Sequence, residues 1–238
     1  LPPEIRIGEA CRRFLIYVKH TIVSALLLFV LFQGSQVQAQ NPIVTENALP
    51  GNPPSEWDVI NAGDPNIQGF ATEFSVEKGS TVRFKISVTS ANKNFSIRIY
   101  RLGYYQGNGA RLVADLGSFT GVAQPAGISD PTGLLDCGNW SETASWNIPS
   151  TAVSGIYVAK LILSDNPTFG ASHITFVVRD DARNAHILFK ASDATWQAYN
   201  NYGGNSLYVG SITQYSLIGR AAKVSYNRPF KTRDLKPE

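Results

Sequence analysis

The side chains best suited to holding a ligand are gathered between Ser192 and Tyr208. Tyr199, Tyr202 and Tyr208 share thirteen residues with Trp196, three asparagines and the pair Gly203-Gly204. A phenol can donate or accept a hydrogen bond, and as a phenolate it binds a hard ferric ion. Asp193 stands just before them. A short carboxylate there serves either a functional role at the end of a strand or the capping of a turn. Composition alone also explains the tyrosines as aromatic packing between two domains, and by itself it favours that reading.

Other familiar machinery is missing. The chain has no H-E-x-x-H, no C-x-x-C and no G-x-S-x-G. Gly103, Gly107 and Gly109 are not followed by Gly-Lys-Ser/Thr, so they make no phosphate-binding loop. His173 and His186 each open a strand-like run and lack a partner at metal-ligand spacing, which makes both structural. Asp180-Asp181 reads as a solvated link.

The tyrosine-rich stretch needs elements to position it. His186-Ile-Leu-Phe-Lys190 reads as a buried strand, and a polar, aromatic loop after the first strand is where open α/β sheets place ligands. A second strand is predicted over Ala222–Tyr226, closed by Asn227-Arg228-Pro229-Phe230. Residues 185–238 therefore read as the beginning of an α/β domain. A βαβ unit alone takes about thirty residues, so the domain is expected to be truncated.

Upstream, residues 69–180 alternate as β-strands do. Val82, Phe84, Ile86 and Val88 interleave with Arg83, Lys85 and Ser87, and Phe95, Ile97 and Ile99 repeat the pattern. Further runs at Arg111–Leu116, Ala144–Ile148, Gly155–Leu163 and Ser172–Arg179 bring the set to about seven strands with frequent turns, as in an immunoglobulin-like antiparallel β-sandwich. Ser154-Gly-Ile-Tyr157 is placed to form a tyrosine corner. The stretch Thr120–Trp140 reads as an irregular loop packed by Trp140. Residues 40–68 read as an extended lead-in, because their prolines argue against a helix.

Residues 1–39 read as a cleaved secretory signal. Arg6, Arg12, Arg13 and Lys19 flank the apolar run Thr21–Phe32, which is too short to span a bilayer. A secreted or periplasmic protein is expected. Removing the signal leaves 17 of the 21 basic and 16 of the 18 acidic residues, a net charge of +1. Nothing in that balance suggests nucleic-acid binding. Cys137 is then the lone cysteine, and between Leu135 and Trp140 it reads as a small buried hydrophobe.

Several separated pieces carry a resemblance. They include Ile43-Val-Thr-Glu-Asn-Ala-Leu-Pro-Gly51, Ile99-Tyr-Arg-Leu-Gly-Tyr-Tyr105, Asp136-Cys-Gly-Asn-Trp140, Thr195-Trp-Gln-Ala-Tyr-Asn-Asn-Tyr202 and Val224-Ser-Tyr-Asn-Arg-Pro-Phe230. Over residues 42–235 the chain resembles exported bacterial proteins grouped with the N,N-dimethylformamidase large (beta) subunit. The resemblance implies a sandwich followed by a glutamine amidotransferase-like α/β domain. It also implies hydrolysis of a small amide at iron held by two tyrosines and a glutamate. Tyr199 is the local match for one of those tyrosines, with Asp193, Trp196, Tyr202 and Tyr208 as pocket wall. The competing reading is a non-catalytic adhesion or carbohydrate-binding module, with Trp57, Tyr104 and Tyr105 stacking on sugars.

Overall fold

A computed structural model describes Gly8 and residues 41–89, 93–210 and 219–231. Apart from Gly8, the predicted signal segment and the predicted cleavage point before Gln40 lie outside the described residues.

Alternating side chains build two facing sheets. Strands β1 (Ile67–Ala71), β3 (Thr81–Val88) and β8 (Ala144–Asn147) form one, in the order β1-β3-β8. Strands β2 (Ser75–Glu77), β4 (Asn94–Leu102), β5 (Ala110–Thr120), β9 (Gly155–Leu163) and β10 (Ala171–Arg179) form the other, in the order β2-β10-β9-β4-β5. Pairing is antiparallel except that β2 runs parallel to β10, with Val178 opposite Val76. The chain switches sheets at Thr72-Glu73-Phe74, so the alternation from Phe70 to Val76 belongs to two strands. This is an immunoglobulin-like, mainly β sandwich.

The predicted inward residues are the core. Val82, Phe84, Ile86, Val88, Phe95, Ile97 and Ile99 are all buried, together with Leu161, Ile174 and Phe176. Trp146, Tyr157 and Phe176 pack with ring centroids 5.8–6.2 Å apart. The predicted tyrosine corner forms: the Tyr157 hydroxyl donates to the Val153 carbonyl at 2.6 Å. Residues 120–140 are largely irregular, as expected, apart from a two-residue hairpin, β6 (Ile128–Ser129) with β7 (Leu135–Asp136).

The lead-in is not simply extended. Pro42–Asn47 forms helix α1 and Pro54–Trp57 a single turn, α2. Each opens with its proline, at a position whose N–H has no helical partner to lose, so the residue that forbids a helix interior is tolerated at its start. The segment is held by charge. Glu46 Oε1 accepts from Arg111 Nη2 at 2.6 Å, Arg111 Nε at 2.8 Å and the Tyr105 hydroxyl at 2.9 Å.

Neither expected α/β strand is formed. Residues 186–190 are irregular, with Ile187, Leu188 and Phe189 exposed at 86%, 89% and 75%. Residues 222–226 are also irregular, and Ala222 and Lys223 are exposed. A strand persists only where a neighbour satisfies its backbone, and the described residues bring no partner edge to either run. The element that forms instead is helix α3, Asp193–Tyr199. Among the described residues, no helix is long and apolar enough to cross a membrane.

Candidate functional site: the tyrosine loop and its supports

Helix α3 sorts the tyrosine-rich stretch into two faces. Gln197 and Asn200, three positions apart, point inward and are buried, whereas Tyr199 is turned outward and 43% exposed. Asp193, expected at a strand end, opens this helix, and its Oδ2 accepts a hydrogen bond from the Tyr226 hydroxyl at 2.8 Å. Burial, reinforced by the Asp193 carboxylate, raises the Tyr226 pKa. Trp196 meets Phe74 and Phe230 edge-on, with centroids 6.1 and 6.5 Å apart.

The loop after the helix folds back on it. The rings of Tyr199 and Tyr208 stack at 4.2 Å and 14°. The Ser206 hydroxyl accepts from the amides of Tyr208 and Val209 and so shapes the returning arm. Gly203 is required at the turn. Its φ is +81°, and an added Cβ would fall 2.2 Å from the Leu135 side chain. Asn201 Oδ1 is buried with no hydrogen-bond partner among the described residues.

Tyr202 points away from the other two tyrosines. It packs with Phe70, Leu135, Cys137 and Trp140 on the outer face of β1. Burial pushes its phenol up to about 12, so it stays neutral at physiological pH. The Cys137 thiol is raised to about 11, first by burial and then by the adjacent Asp136 charge, which makes it an inert, apolar packing group.

The central support is Arg228, which in sequence stands in a strand-breaking run and in the resemblance motif Val224–Phe230 but carries no sign of this role. It is fully buried. Nε donates to Ser225 O at 3.2 Å, Nη1 to Tyr202 O at 3.2 Å and Asn205 O at 3.1 Å, and Nη2 to Gln197 O at 3.1 Å and Asn200 O at 2.8 Å. All five N–H donors of the guanidinium are satisfied, each by a backbone carbonyl. Desolvation lowers its pKa to about 10, which leaves it charged at neutral pH. Asn200 adds a second clasp. Its Nδ2 donates to Pro229 O at 2.9 Å, and its Oδ1 accepts from Lys231 N at 2.9 Å.

The segment around Arg228 is tied in turn to the 120–140 loop. The Cys137 amide donates to Asn227 O at 2.6 Å, and Lys85 Nζ, from the outer face of β3, donates to Gly138 O at 2.7 Å. Asp130 accepts from the Thr132 hydroxyl and pairs with Lys223 at 3.0 Å, and these contacts hold its carboxyl down to about 2. Motifs at 136–140, 195–208 and 224–230, far apart in sequence, thus meet on one side of the sandwich.

Over residues 96–238 the chain matches the model of a family described as N,N-dimethylformamidase beta subunit-like, C-terminal. The chain belongs to this family. The matched region starts in β4 and takes in the tyrosine loop, Arg228 and the loop that carries Asp136. No curated protein matches the chain. Among solved structures, it is similar to domain 1 of VCBP3 from Branchiostoma floridae, at 14% identity and a TM-score of 0.32, covering 51% of this chain and 100% of that one. It is also similar to a Niemann-Pick type C2 protein from Japanese carpenter ant, at 10% identity and a TM-score of 0.28, covering 52% and 100%. Likenesses at this level say nothing about activity.

The aromatic platform of the competing reading is not formed by the residues expected to form it. Tyr105 is fully buried, because its hydroxyl is drawn in to bond with Arg101 and Glu46. Trp57 is half-buried, and its indole N–H donates to the Asn108 carbonyl at 2.9 Å. Tyr104 alone of the three is exposed.

Proposed function

We propose that this member of the N,N-dimethylformamidase beta subunit-like family is an exported hydrolase of C–N amide bonds, with the tyrosine loop as one wall of its site. The observation that carries the reading is the Tyr199–Tyr208 stack. Two phenols lie face to face at 4.2 Å on a partly exposed edge, above a backbone fixed by buried polar contacts. A substrate amide carbonyl can accept from the Tyr199 hydroxyl, and the paired rings offer an apolar face that limits water. Membership of the family supports the reaction class. The basic flank and short apolar run within residues 1–39 support export.

Iron enters through the resemblance alone. Among the described residues, no three His, Cys, Asp or Glu side chains are grouped to hold a metal ion. Asp193, the carboxylate on the tyrosine helix, is six positions from Tyr199 and engaged with Tyr226. That contact joins an aspartate to a single tyrosine, so the described residues do not make up the implied set of two tyrosines and a glutamate. The α/β setting of this wall is likewise part of the proposal.

The test is to express the intact gene product with its leader, recover it from the periplasm or medium, and determine its N-terminus, metal content and release of amine from small N-substituted amides. Amine release by an exported protein processed near Gln40 is expected. A folded, metal-replete preparation that releases no amine from any small amide would overturn the reading.

A further inference from the structure

We propose that Arg228 is the positioning residue of the tyrosine loop: its buried guanidinium sets the placement of Tyr199 against Tyr208 without touching either ring. Its acceptors bracket both stacked tyrosines. Gln197 O and Asn200 O flank Tyr199 on the helix arm, and Tyr202 O and Asn205 O lie on the path to Tyr208. The fifth, Ser225 O, fixes the arginine to its own segment.

The chemistry of the contacts singles out arginine. The guanidinium is a rigid planar fork of five donors, and here each donor meets a different carbonyl. An ammonium has three donors around a point, so lysine can keep the charge but not the fork. Among the described residues no carboxylate bonds or ion-pairs with Arg228, so ion pairing does not explain its burial. A desolvated cation held only by carbonyl dipoles is a costly arrangement. It persists because five backbone carbonyls, drawn from helix α3, the loop after it and the segment at Ser225, are satisfied at once. Asn200, itself fully buried, closes the same segment from the other side through Pro229 and Lys231.

The inference deepens the proposed function but is tested apart from it, by hydrogen exchange and near-ultraviolet circular dichroism on the full chain. In Arg228→Lys, amides of the loop, among them Asn200, Leu207 and Ser206, are expected to lose protection by roughly tenfold or more, as two or more charged hydrogen bonds go. Amides of β4 and β9 should keep theirs. The tyrosine dichroism should shift in the direction produced by Tyr208→Phe, which removes no backbone contact. In Arg228→Ala, millimolar methylguanidinium should restore loop protection and dichroism, and methylammonium should not.

Unchanged loop protection in Arg228→Lys would overturn the proposal. So would equal loss throughout the sandwich, which would make Arg228 a general stability residue. Rescue by methylammonium as effective as that by methylguanidinium would overturn the role of the fork. If Arg228→Ala does not fold, the lysine variant decides. A loosened loop with amide turnover intact would uphold the positioning role and count against the proposed function alone.

Discussion

The Asp136 carboxylate accepts a hydrogen bond from the Ser225 hydroxyl at 2.6 Å, across 89 positions of sequence. The same side chain accepts from the Gly138 amide at 2.6 Å and, through its other oxygen, at 3.3 Å from Asn227 Nδ2. It thereby joins the loop covering β1 to the segment that delivers Arg228. Ser225→Ala is expected to cost about 1–2 kcal/mol, and Asp136→Ala about 2–3 kcal/mol because it strands several donors. The double variant should cost less than the two single losses combined, since each removes the same bond. Urea unfolding of the four proteins measures the coupling, and simple additivity would show that the bond contributes nothing.

Acid should weaken the same junction. Burial is the largest influence on Asp136 and raises its pKa, but the bonds from Ser225, Gly138 and Asn227, with the charge of Lys85, together outweigh it and leave the carboxyl below its ordinary value. A lowered folded pKa gives stability that is present above the unfolded value, about 4, and is lost as pH falls through the folded value. Urea midpoints measured from pH 7 to pH 3 should fall less steeply for Asp136→Asn than for the unaltered protein. Parallel curves would show that Asp136 has no part in the acid loss.

Glu46 anchors the N-terminal helix by accepting three hydrogen bonds on one oxygen. Glu46→Ala is expected to destabilise the sandwich by about 2–4 kcal/mol, since it leaves the Arg111 guanidinium and the Tyr105 hydroxyl without their acceptor. Glu46→Gln keeps an acceptor oxygen and should cost less, about 1–2 kcal/mol. Equal losses for the two variants, measured by urea unfolding, would assign the effect to packing instead of to the acceptor.

Cys137 should be silent to thiol reagents. Its thiol is buried and raised to about 11, so at pH 8 little thiolate exists and none of it is accessible. Native protein is expected to resist labelling at this position, and protein unfolded in urea to label fully. Rapid labelling of the native state would contradict the packing described around Phe70, Trp140 and Tyr202.

The sandwich was legible because its code is local. Each of Val82, Phe84, Ile86 and Val88 faces the core at a spacing of two, and that spacing needs no knowledge of the partner strand. The supports of the tyrosine loop were not legible in the same way. Arg228 stands in Asn-Arg-Pro-Phe, which reads as punctuation, and its acceptors lie 3 to 31 positions earlier on an irregular path. Nothing periodic marks such a residue. The available signals were its place in the resemblance motif Val224–Phe230 and an arginine set among small, polar and proline residues, and neither says what the guanidinium holds. The run 186–190 misled for the opposite reason. Apolar composition shows that a segment can be a strand, but pairing makes it one, and here Ile187, Leu188 and Phe189 face solvent. Pro42 and Pro54 misled because proline forbids the middle of a helix and favours its first residue.

Replacing the Tyr199 hydroxyl alone tests the functional account most directly. Steady-state hydrolysis of small N-substituted amides by the intact gene product should be compared with that by Tyr199→Phe, with Tyr104→Ala as the surface control. The account predicts that Tyr199→Phe lowers kcat/KM by about 10²-fold or more while the melting temperature holds, because the hydroxyl meets the substrate and makes no hydrogen bond among the described residues. Tyr104→Ala should change neither quantity. Full turnover by Tyr199→Phe would contradict the placement of the substrate against this loop.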